Sequence, residues 1–253
     1  MLKFFYKSWV IADFEIRKLW HDPTEIMLRS VQPAIWLIVY GQVMAKAHMV
    51  PGENYIGFIA PGILAQSVLF VSIFYGIAII WERDLGLTEK FLATPTPRTA
   101  LVLGKAMSAS VRCLPLMAII YFLATLLSVH IIWHPLNIVG VLLLLSLGAM
   151  LFSTFSLIIA CLVKSRERFM GIGQLITMPL FFASNAIYPV NIMPDWLKVI
   201  SHANPLTYMI DGIRSLMTGI PGGFSLMTDF AVLICTATFL VMVAGKLYKQ
   251  VIV

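Results

Sequence analysis

The sequence has few charged residues. Asp, Glu, Lys and Arg make up 12% of its 253 residues and 60% are hydrophobic, whereas a soluble domain carries roughly 25% charged residues. The mean hydropathy of +0.90 therefore indicates an integral membrane protein, which we treat as one membrane domain over residues 1–253. The net charge of +6 lies in short blocks between apolar runs, a pattern that orients membrane spans and does not indicate a nucleic-acid partner.

Motifs for catalysis and metal binding are also missing. The sequence has no Gly-x-x-x-x-Gly-Lys-Ser/Thr run, so the chain carries no P-loop of its own, and no His-Glu-x-x-His motif. His130 and His134 lie four apart without a nearby cysteine or carboxylate, which makes a weak metal site. Three cysteines lie far apart inside apolar runs and are expected to be packed thiols. We expect no catalytic residue, no metal and no cofactor in this chain.

Residues 1–22 have a helical amphipathic pattern. Phe5, Trp9 and Ile16 fall on one helix face, and most of the Lys and Arg residues fall on the other. The pattern predicts a helix lying in the membrane interface with its aromatic rings among the lipid headgroups. A solvated helix packed on a partner is the alternative. Pro23 ends the pattern because the residue before a proline disfavours helix.

Six apolar runs are long enough to cross a bilayer as helices. The predicted spans are residues 27–44, 55–81, 99–129, 136–163, 169–188 and 226–245. An even number of spans places both termini on one side. On that side the loops hold most of the Lys and Arg residues, and the other side holds only Lys46, Lys198 and Arg214. The positive-inside rule therefore places both termini in the cytoplasm, in a plasma membrane of the bacterial inner-membrane type.

Residues 82–98, between the second and third spans, contain the densest cluster of both charge signs. Such a segment cannot lie in hydrocarbon, so we expect it in water at the cytoplasmic face. A short charged helix there would give a partner a point of contact, and a plain solvated loop is the alternative.

Residues 189–223 lie on the outer side and combine prolines with short apolar pieces. Residues 196–200 and 206–217 are too short to span, and Pro194 and Pro205 precede them. We expect a re-entrant pair of half-helices that enters the outer leaflet. An ordinary extracellular loop is the alternative.

The predicted spans hold few polar groups that could meet a substrate. Arg112 is a charge inside a span, and it would meet a substrate headgroup, or else extend to the interface or bond carbonyls freed by Pro115. Aromatic and amide side chains would line a substrate path or else face lipid and neighbouring helices: Phe70, Phe74, Phe181, Phe182 and Asn185. We expect no Asp or Glu inside the spans, which argues against a self-powered carrier.

Two motifs resemble those of one transporter family. Glu82-Arg83-x-x-Gly86 followed by residues 89–95 and Gly104-Lys105 resembles the cytoplasmic segment of type-2 ABC exporter permeases, which are all-helical proteins of six spans. Residues 204–214, with Asn204-Pro205-Leu206-Thr207-Tyr208 and Asp211-Gly212-x-Arg214, resemble the outer segment before the last span of that family. The resemblance covers nearly the whole chain.

The resemblance implies a role for each segment. A cytoplasmic coupling helix would contact the ATPase through Glu82, Arg83, Asp84, Leu85, Gly86 and Glu89. Part of an outer gate would be formed by Asn204, Pro205, Tyr208, Asp211 and Arg214. The interfacial helix would also contact the ATPase. Two separate ATPase subunits would bind ATP and Mg²⁺, and a second permease copy would complete a homodimer or, with a relative, a heterodimer. Within that family, this sequence is more similar to the branch of multidrug and nodulation-factor exporters.

The sequence therefore predicts an exporter subunit that moves an amphiphilic drug, lipid, glycolipid or oligosaccharide outward. Two alternatives are a self-powered carrier or channel, and a membrane enzyme that acts on lipids. The enzyme would need a cluster of acid, base or nucleophile at one membrane depth, and we identify none.

Overall fold

The fold is helical throughout the part of the chain that can be described. A computed structural model describes residues 6, 9, 10, 13, 17, 30–46, 55–86, 97–163 and 165–248. No strand occurs among these residues. The helices in chain order are α1 (30–46, with a π-helical stretch at Trp36–Tyr40), α2 (Tyr55–Phe74), α3 (Gly76–Asp84), α4 (Arg98–Leu126), α5 (Pro135–Leu162), α6 (Arg166–Phe182), α7 (Asp195–Ala203), α8 (Pro205–Thr218) and α9 (Leu226–Leu247).

Several of these helices can cross a bilayer. In the described part of the chain, four are long and apolar enough: Tyr55–Asp84, which joins α2 and α3, Thr99–Leu126, Pro135–Leu162 and Leu226–Leu247. The remaining predicted spans correspond to α1 and to α6, which has 17 residues. The prediction of an all-helical membrane protein with several spans is therefore confirmed at this level.

Helix α5 is the centre of the bundle. It packs against α2, α4, α8 and α9, and it is buried through most of its middle turns. Gly148 lets α8 approach closely, because a Cβ at this position would collide with the Met209 side chain. Small residues at such crossings let helices pack where water supplies no hydrophobic driving force between them.

The predicted outer segment, residues 189–223, contains two short α-helices, α7 and α8, that meet at Asn204. The Asn204 carboxamide caps α8, with Oδ1 accepting from Leu206 N at 3.0 Å, and its Nδ2 donates to Leu180 O at 2.7 Å. Pro205 occupies the first turn of α8, where its missing N–H costs no hydrogen bond. Gly219 ends α8 with φ +72°, a left-handed conformation that favours glycine. The predicted helical pair is therefore present, and its depth in the bilayer stays a prediction.

Candidate functional site

The end of α3 carries a buried ion pair. Glu82 is only 4% exposed, and its carboxylate accepts a hydrogen bond from the ammonium of Lys105 on α4, which is also buried. A charge leaves water only at a high energetic cost unless a partner of opposite sign compensates it. The pair therefore fixes the end of α3 against α4.

A second set of contacts joins α3 to the turn between α5 and α6. Arg166 donates from Nη2 to Asp84 Oδ2 at 2.6 Å, and its guanidinium lies 3.4 Å from the centroid of the Trp81 ring. Arg83 donates from Nη1 to the Val163 carbonyl at 3.4 Å. Cation–π stacking and a charge-assisted hydrogen bond both favour arginine at position 166. The last turn of α3 thus contacts both α4 and the α5–α6 turn.

The predicted coupling residues are partly displaced from their expected setting. Glu82, Arg83 and Asp84 form the last turn of α3, which continues without a break into the charged sequence. Residues 87–96 lie outside the described residues, so the short charged helix expected within 82–98 stays a prediction. Glu82 is buried rather than in water, because Lys105 compensates its charge. Leu85 is 67% exposed, and Gly86 ends the segment with φ +69°. Glu89 lies outside the described residues.

The junction of α2 and α3 is held by a serine of another helix. The Ser156 hydroxyl on α5 donates to the Ile73 carbonyl and accepts from Gly76 N at 3.0 Å. A Cβ on Gly76 would collide with Ser156 and with the Phe169 ring. At the same junction the Arg112 guanidinium lies 4.4 Å from the centroid of the Tyr75 ring. The structure therefore places Arg112 on an aromatic ring at the α2–α3 junction.

A small pocket, partly open to the surface, lies between α1 and α2. It has a volume of about 120 Å³ and is lined by Gln32, Pro33, Gln66, Ser67, Phe70, Val71 and Phe74. The rings of Phe70 and Phe74 are stacked, with centroids 6.2 Å apart and planes 24° apart. Of the predicted substrate-path residues, these two aromatic side chains are the ones that line this pocket.

The other predicted path residues lie elsewhere. Phe181 is buried, with its ring edge-on to Trp36 at a centroid distance of 6.2 Å, whereas Phe182 is 46% exposed. Asn185 belongs to a polar cluster, called the outer cluster here because this end of the bundle is predicted to face outward. The proposed path is therefore divided among the α1–α2 pocket, the α2–α3 junction, the α1–α6 contact and the outer cluster.

The outer cluster is built around Asp211 of α8. Its carboxylate accepts from Asn185 Nδ2 at 3.2 Å, from Gly223 N at 3.0 Å and from Phe224 N at 2.8 Å. These bonds hold the chain after α8 against the helix. A Cβ on Gly222 would collide with the same carboxylate, so this turn needs a glycine at position 222.

Arg214, one turn further along α8, joins three parts of the chain. Its Nη2 donates to the Asn185 carbonyl at 2.6 Å and its Nε to the Phe58 carbonyl at 3.2 Å. The guanidinium also lies 3.8 Å from the centroid of the Phe58 ring. Arg214 is buried, and it connects α8 to α2 and to the segment after α6.

Tyr208, another predicted gate residue, faces the turn after α8. Its hydroxyl donates to the His202 carbonyl at 2.8 Å, and its ring centroid lies 4.7 Å from that of Phe224. Burial, followed by the nearby Asp229 carboxylate, raises the pKa of Tyr208. The phenol therefore stays protonated and remains a donor.

Asp211 and Arg214 also line an outer cavity of about 750 Å³. The polar lining residues are Asn185, Asn191, Lys198, His202, Asp211 and Arg214, and the apolar ones include Phe58, Ile192 and Phe224. The structure thus brings together two predicted gate residues and Asn185, whereas Asn204 and Pro205 lie at the α7–α8 junction and do not line this cavity.

The burial of two carboxylates was not predicted from the sequence. Asp229 lies in the first turn of α9 and is 1% exposed. Glu82 is also buried on a helix long enough to span. The expectation of no carboxylate inside the spans was wrong, because Asp229 falls within the last predicted span, residues 226–245. Glu82 lies one residue beyond the second predicted span, on a helix that continues to Asp84. The position of Asp229 within the last apolar run is the sequence signal that marks it. Lys105 was part of the Gly104-Lys105 motif, but its pairing with Glu82 was not predicted, and Ser156 carried no signal in the sequence.

The predicted interfacial helix is described at a few positions only. Trp9 is 57% exposed, and Arg17 donates to Asp13 Oδ2 at 2.8 Å, one turn away. Phe5 and Ile16 lie outside the described residues. The interfacial position of this segment stays a prediction.

Comparison with known proteins gives consistent matches. Residues 6–218 match the family described as ABC-2 type transporter. A ycf38 protein of Cyanophora paradoxa, named as a transport permease, is 30% identical over 77% of this chain and 68% of its own. The daunorubicin resistance ABC transporter permease protein DrrB1 of Streptomyces coeruleorubidus is 25% identical over 90% and 79%. The inner membrane transport permease YadH of Escherichia coli K12 is 25% identical over 87% and 88%.

Proposed function

This chain belongs to the ABC-2 type transporter family, and we propose that it is the permease subunit of an exporter that moves an amphiphilic molecule outward. It is a transmembrane subunit, and the ATPase of such a transporter is a separate subunit. The chain works with ATP-binding subunits of that kind. The name of the Streptomyces relative refers to daunorubicin resistance, which supports an amphiphilic cargo.

The complete arrangement has six spans, with α1 and α6 as the first and fifth, and both termini in the cytoplasm of a bacterial cell. Two ATPase copies bind ATP and Mg²⁺ beneath two copies of this permease. The excess of Lys and Arg in the loops on the side of the termini supports this orientation. The α7–α8 pair then lies at the outer face.

The observation that carries this function is the set of contacts at the end of α3. A motor subunit can shift a permease only through contacts that differ between its two states. Leu85 is exposed beside a turn that Glu82, Arg83 and Asp84 fix to α4 and to the α5–α6 turn. A displacement of Leu85 by the ATPase would therefore be transmitted through α3 to α4 and to the α5–α6 turn.

The test is co-purification with the ATP-binding subunit from cells that express both. Leu85→Asp places a charge on the exposed contact and should reduce recovery of the ATPase about tenfold, while the permease still inserts. Met227→Asp, an exposed residue at the outer start of α9, is the matched control and should leave recovery unchanged. Equal recovery of the ATPase with both variants would contradict a coupling role for this surface.

The direction of transport can be tested in inverted membrane vesicles. ATP should drive a fluorescent amphiphile into the vesicle lumen, because the cytoplasmic face points outward there. ATP-driven loss of the dye from preloaded vesicles would contradict export.

One feature would suit a proton-driven carrier, namely the buried carboxylates Glu82, Asp211 and Asp229. Glu82 is paired with Lys105, however, and Asp211 accepts three hydrogen bonds, so both have structural roles. Transport that continues after an ionophore collapses the proton gradient, and stops without ATP, would favour the exporter over this alternative.

A further inference from the structure

We infer that Gln66 is a specificity-determining residue, whose carboxamide hydrogen-bonds the polar group of one neutral aromatic ring in the α1–α2 pocket. The ligand class is a phenol or an aromatic amide, and neither an acyl chain nor a charged group fits it. The inference rests on the proposed function only in assigning this ring to an exported molecule.

The first observation is a buried amide without a partner. Gln66 is 5% exposed, and within the described part of the chain neither its Nε2 nor its Oε1 forms a hydrogen bond. It lies near the middle of the 30-residue helix Tyr55–Asp84, at the depth of the hydrocarbon core. A polar side chain at this depth is costly unless something pairs with it. A ligand is one such partner.

The amide borders a pocket of suitable size. Gln66 lines the α1–α2 pocket, whose volume is about 120 Å³. An apolar cavity of about 150 Å³ in another protein binds benzene. The α1–α2 pocket can therefore receive about one six-membered ring, and this ring would lie beside the Gln66 side chain.

The wall of the pocket favours an aromatic ring. Gln66, Phe70 and Phe74 follow one another at steps of four residues, so they share one face of α2. The two phenyl rings are stacked with their planes 24° apart, and both line the pocket. A ligand ring gains stacking contacts on this wall that a flexible acyl chain lacks.

The polar lining favours a neutral ligand that both donates and accepts. None of the described residues that line the pocket is charged, so an ionic group would enter without a compensating partner. The Ser67 hydroxyl donates to the Ile63 carbonyl at 2.7 Å, which leaves it as an acceptor. The Gln66 carboxamide supplies N–H donors and a carbonyl acceptor. A phenol hydroxyl can therefore accept from Nε2 and donate to Oε1.

The experiment measures binding to the full chain in phosphatidylcholine nanodiscs, without ATP or a partner subunit. A fluorophore is attached at Val31→Cys, because Val31 is exposed and adjoins Gln32 of the pocket lining. The background carries Cys235→Ser, because Cys235 is an exposed free thiol. The titrants are 4-methylphenol, para-xylene, 4-methylcyclohexanol and 4-methylbenzoate. Empty nanodiscs give the partitioning of each compound, so that affinities refer to its concentration in the bilayer.

The four compounds separate the hydrogen bond, the ring and the charge. 4-Methylphenol should give a saturable signal and bind about threefold to tenfold more tightly than para-xylene, which has the same shape without a hydroxyl, as expected for one hydrogen bond. It should also bind more tightly than the saturated alcohol and the charged benzoate. Equal affinities for 4-methylphenol and para-xylene, or tighter binding of either other compound, would overturn the inference.

Gln66→Met keeps the length of the side chain and removes its hydrogen-bonding groups. It should weaken 4-methylphenol binding about threefold to tenfold and leave para-xylene binding unchanged. Gln174→Met is the matched control, because Gln174 is exposed on α6 and does not line the pocket. It should change neither affinity. A loss of both compounds in Gln66→Met would indicate a structural role and overturn the inference.

Two further variants keep the test decisive if Gln66→Met does not fold. Gln66→Asn withdraws the amide by one methylene and should reduce the preference for 4-methylphenol over para-xylene. Phe74→Leu should weaken both compounds and preserve their ratio, because it removes part of the aromatic wall. An unchanged preference in Gln66→Asn would contradict recognition by this amide. Since no step uses ATP, a failure of this binding is distinct from a failure of ATP-driven transport.

Discussion

The hydroxyl of Ser156 on α5 accepts a hydrogen bond from the backbone N–H of Gly76 at 3.0 Å, at the junction where α2 gives way to α3. The same hydroxyl donates to the Ile73 carbonyl. One side chain thus satisfies a donor and an acceptor that an unbroken helix would pair within itself. The direction of α3, and so the position of its charged last turn, depends on this contact.

Ser156→Ala should therefore destabilise the permease by about 1–3 kcal/mol, because it leaves two buried backbone groups without a partner. Substrate stimulation of the ATPase should fall with it. Ser153→Ala is the matched control, since Ser153 lies on the same helix, is also buried, and among the described residues bonds the Met150 carbonyl of its own helix at 3.2 Å. Thermal unfolding in detergent measures the first effect. An identical loss in both variants would contradict a special role for Ser156.

Glu82→Ala should cost about 3–5 kcal/mol, because it leaves the Lys105 ammonium buried without its partner. Replacing both residues, as Glu82→Leu with Lys105→Met, should recover most of this loss, since the two opposite charges are then removed together. A double-mutant cycle on unfolding midpoints measures the coupling. Additive losses would show that the two side chains do not act as a pair.

Gly222→Ala should destabilise the outer turn by about 1–3 kcal/mol, because the added methyl group collides with Asp211 and breaks carboxylate hydrogen bonds. The neighbouring Gly223 has open space around it, so Gly223→Ala should change stability by less than about 0.5 kcal/mol. Limited proteolysis of the outer segment compares the two. Equal protection in both variants would contradict the importance of the Asp211 contacts.

Phe70→Ala should change which cargo is carried, because it removes one of two stacked rings from the α1–α2 pocket. We expect about a tenfold loss of transport for aromatic amphiphiles and a smaller loss for aliphatic ones, since an aromatic pair contributes about 0.5–1.5 kcal/mol beyond its buried area. Phe122→Ala is the control, because Phe122 is exposed on α4. A uniform loss for all cargoes would point to assembly instead.

The outer segment shows what the sequence could predict. Pro194 immediately precedes α7, and Pro205 is the first residue of α8. Both helices were expected from these prolines and from the apolar pieces that follow them. Proline restricts its neighbours locally, so its effect can be read without knowledge of the fold.

The α2–α3 junction is a feature that could not be predicted from the sequence. The apolar run of residues 55–81 is continuous, and the break near Tyr75 depends on a serine 80 residues away. The burial of Glu82 likewise depends on Lys105, which the positive-inside argument had treated as one more cytoplasmic charge. Asn185 was assigned to a span by its hydropathy, and only the packing of α8 brings it to Asp211.

The Glu82–Lys105 pair also bears on how the protein enters its membrane. The two charges are 23 residues apart in the chain, so roughly 1–5 s of synthesis separates them. Until Lys105 emerges, the second span ends in a carboxylate that lipid tails disfavour. We therefore expect the helix pair on either side of residues 85–97 to be released from the insertion machinery together, as a hairpin, rather than one helix at a time.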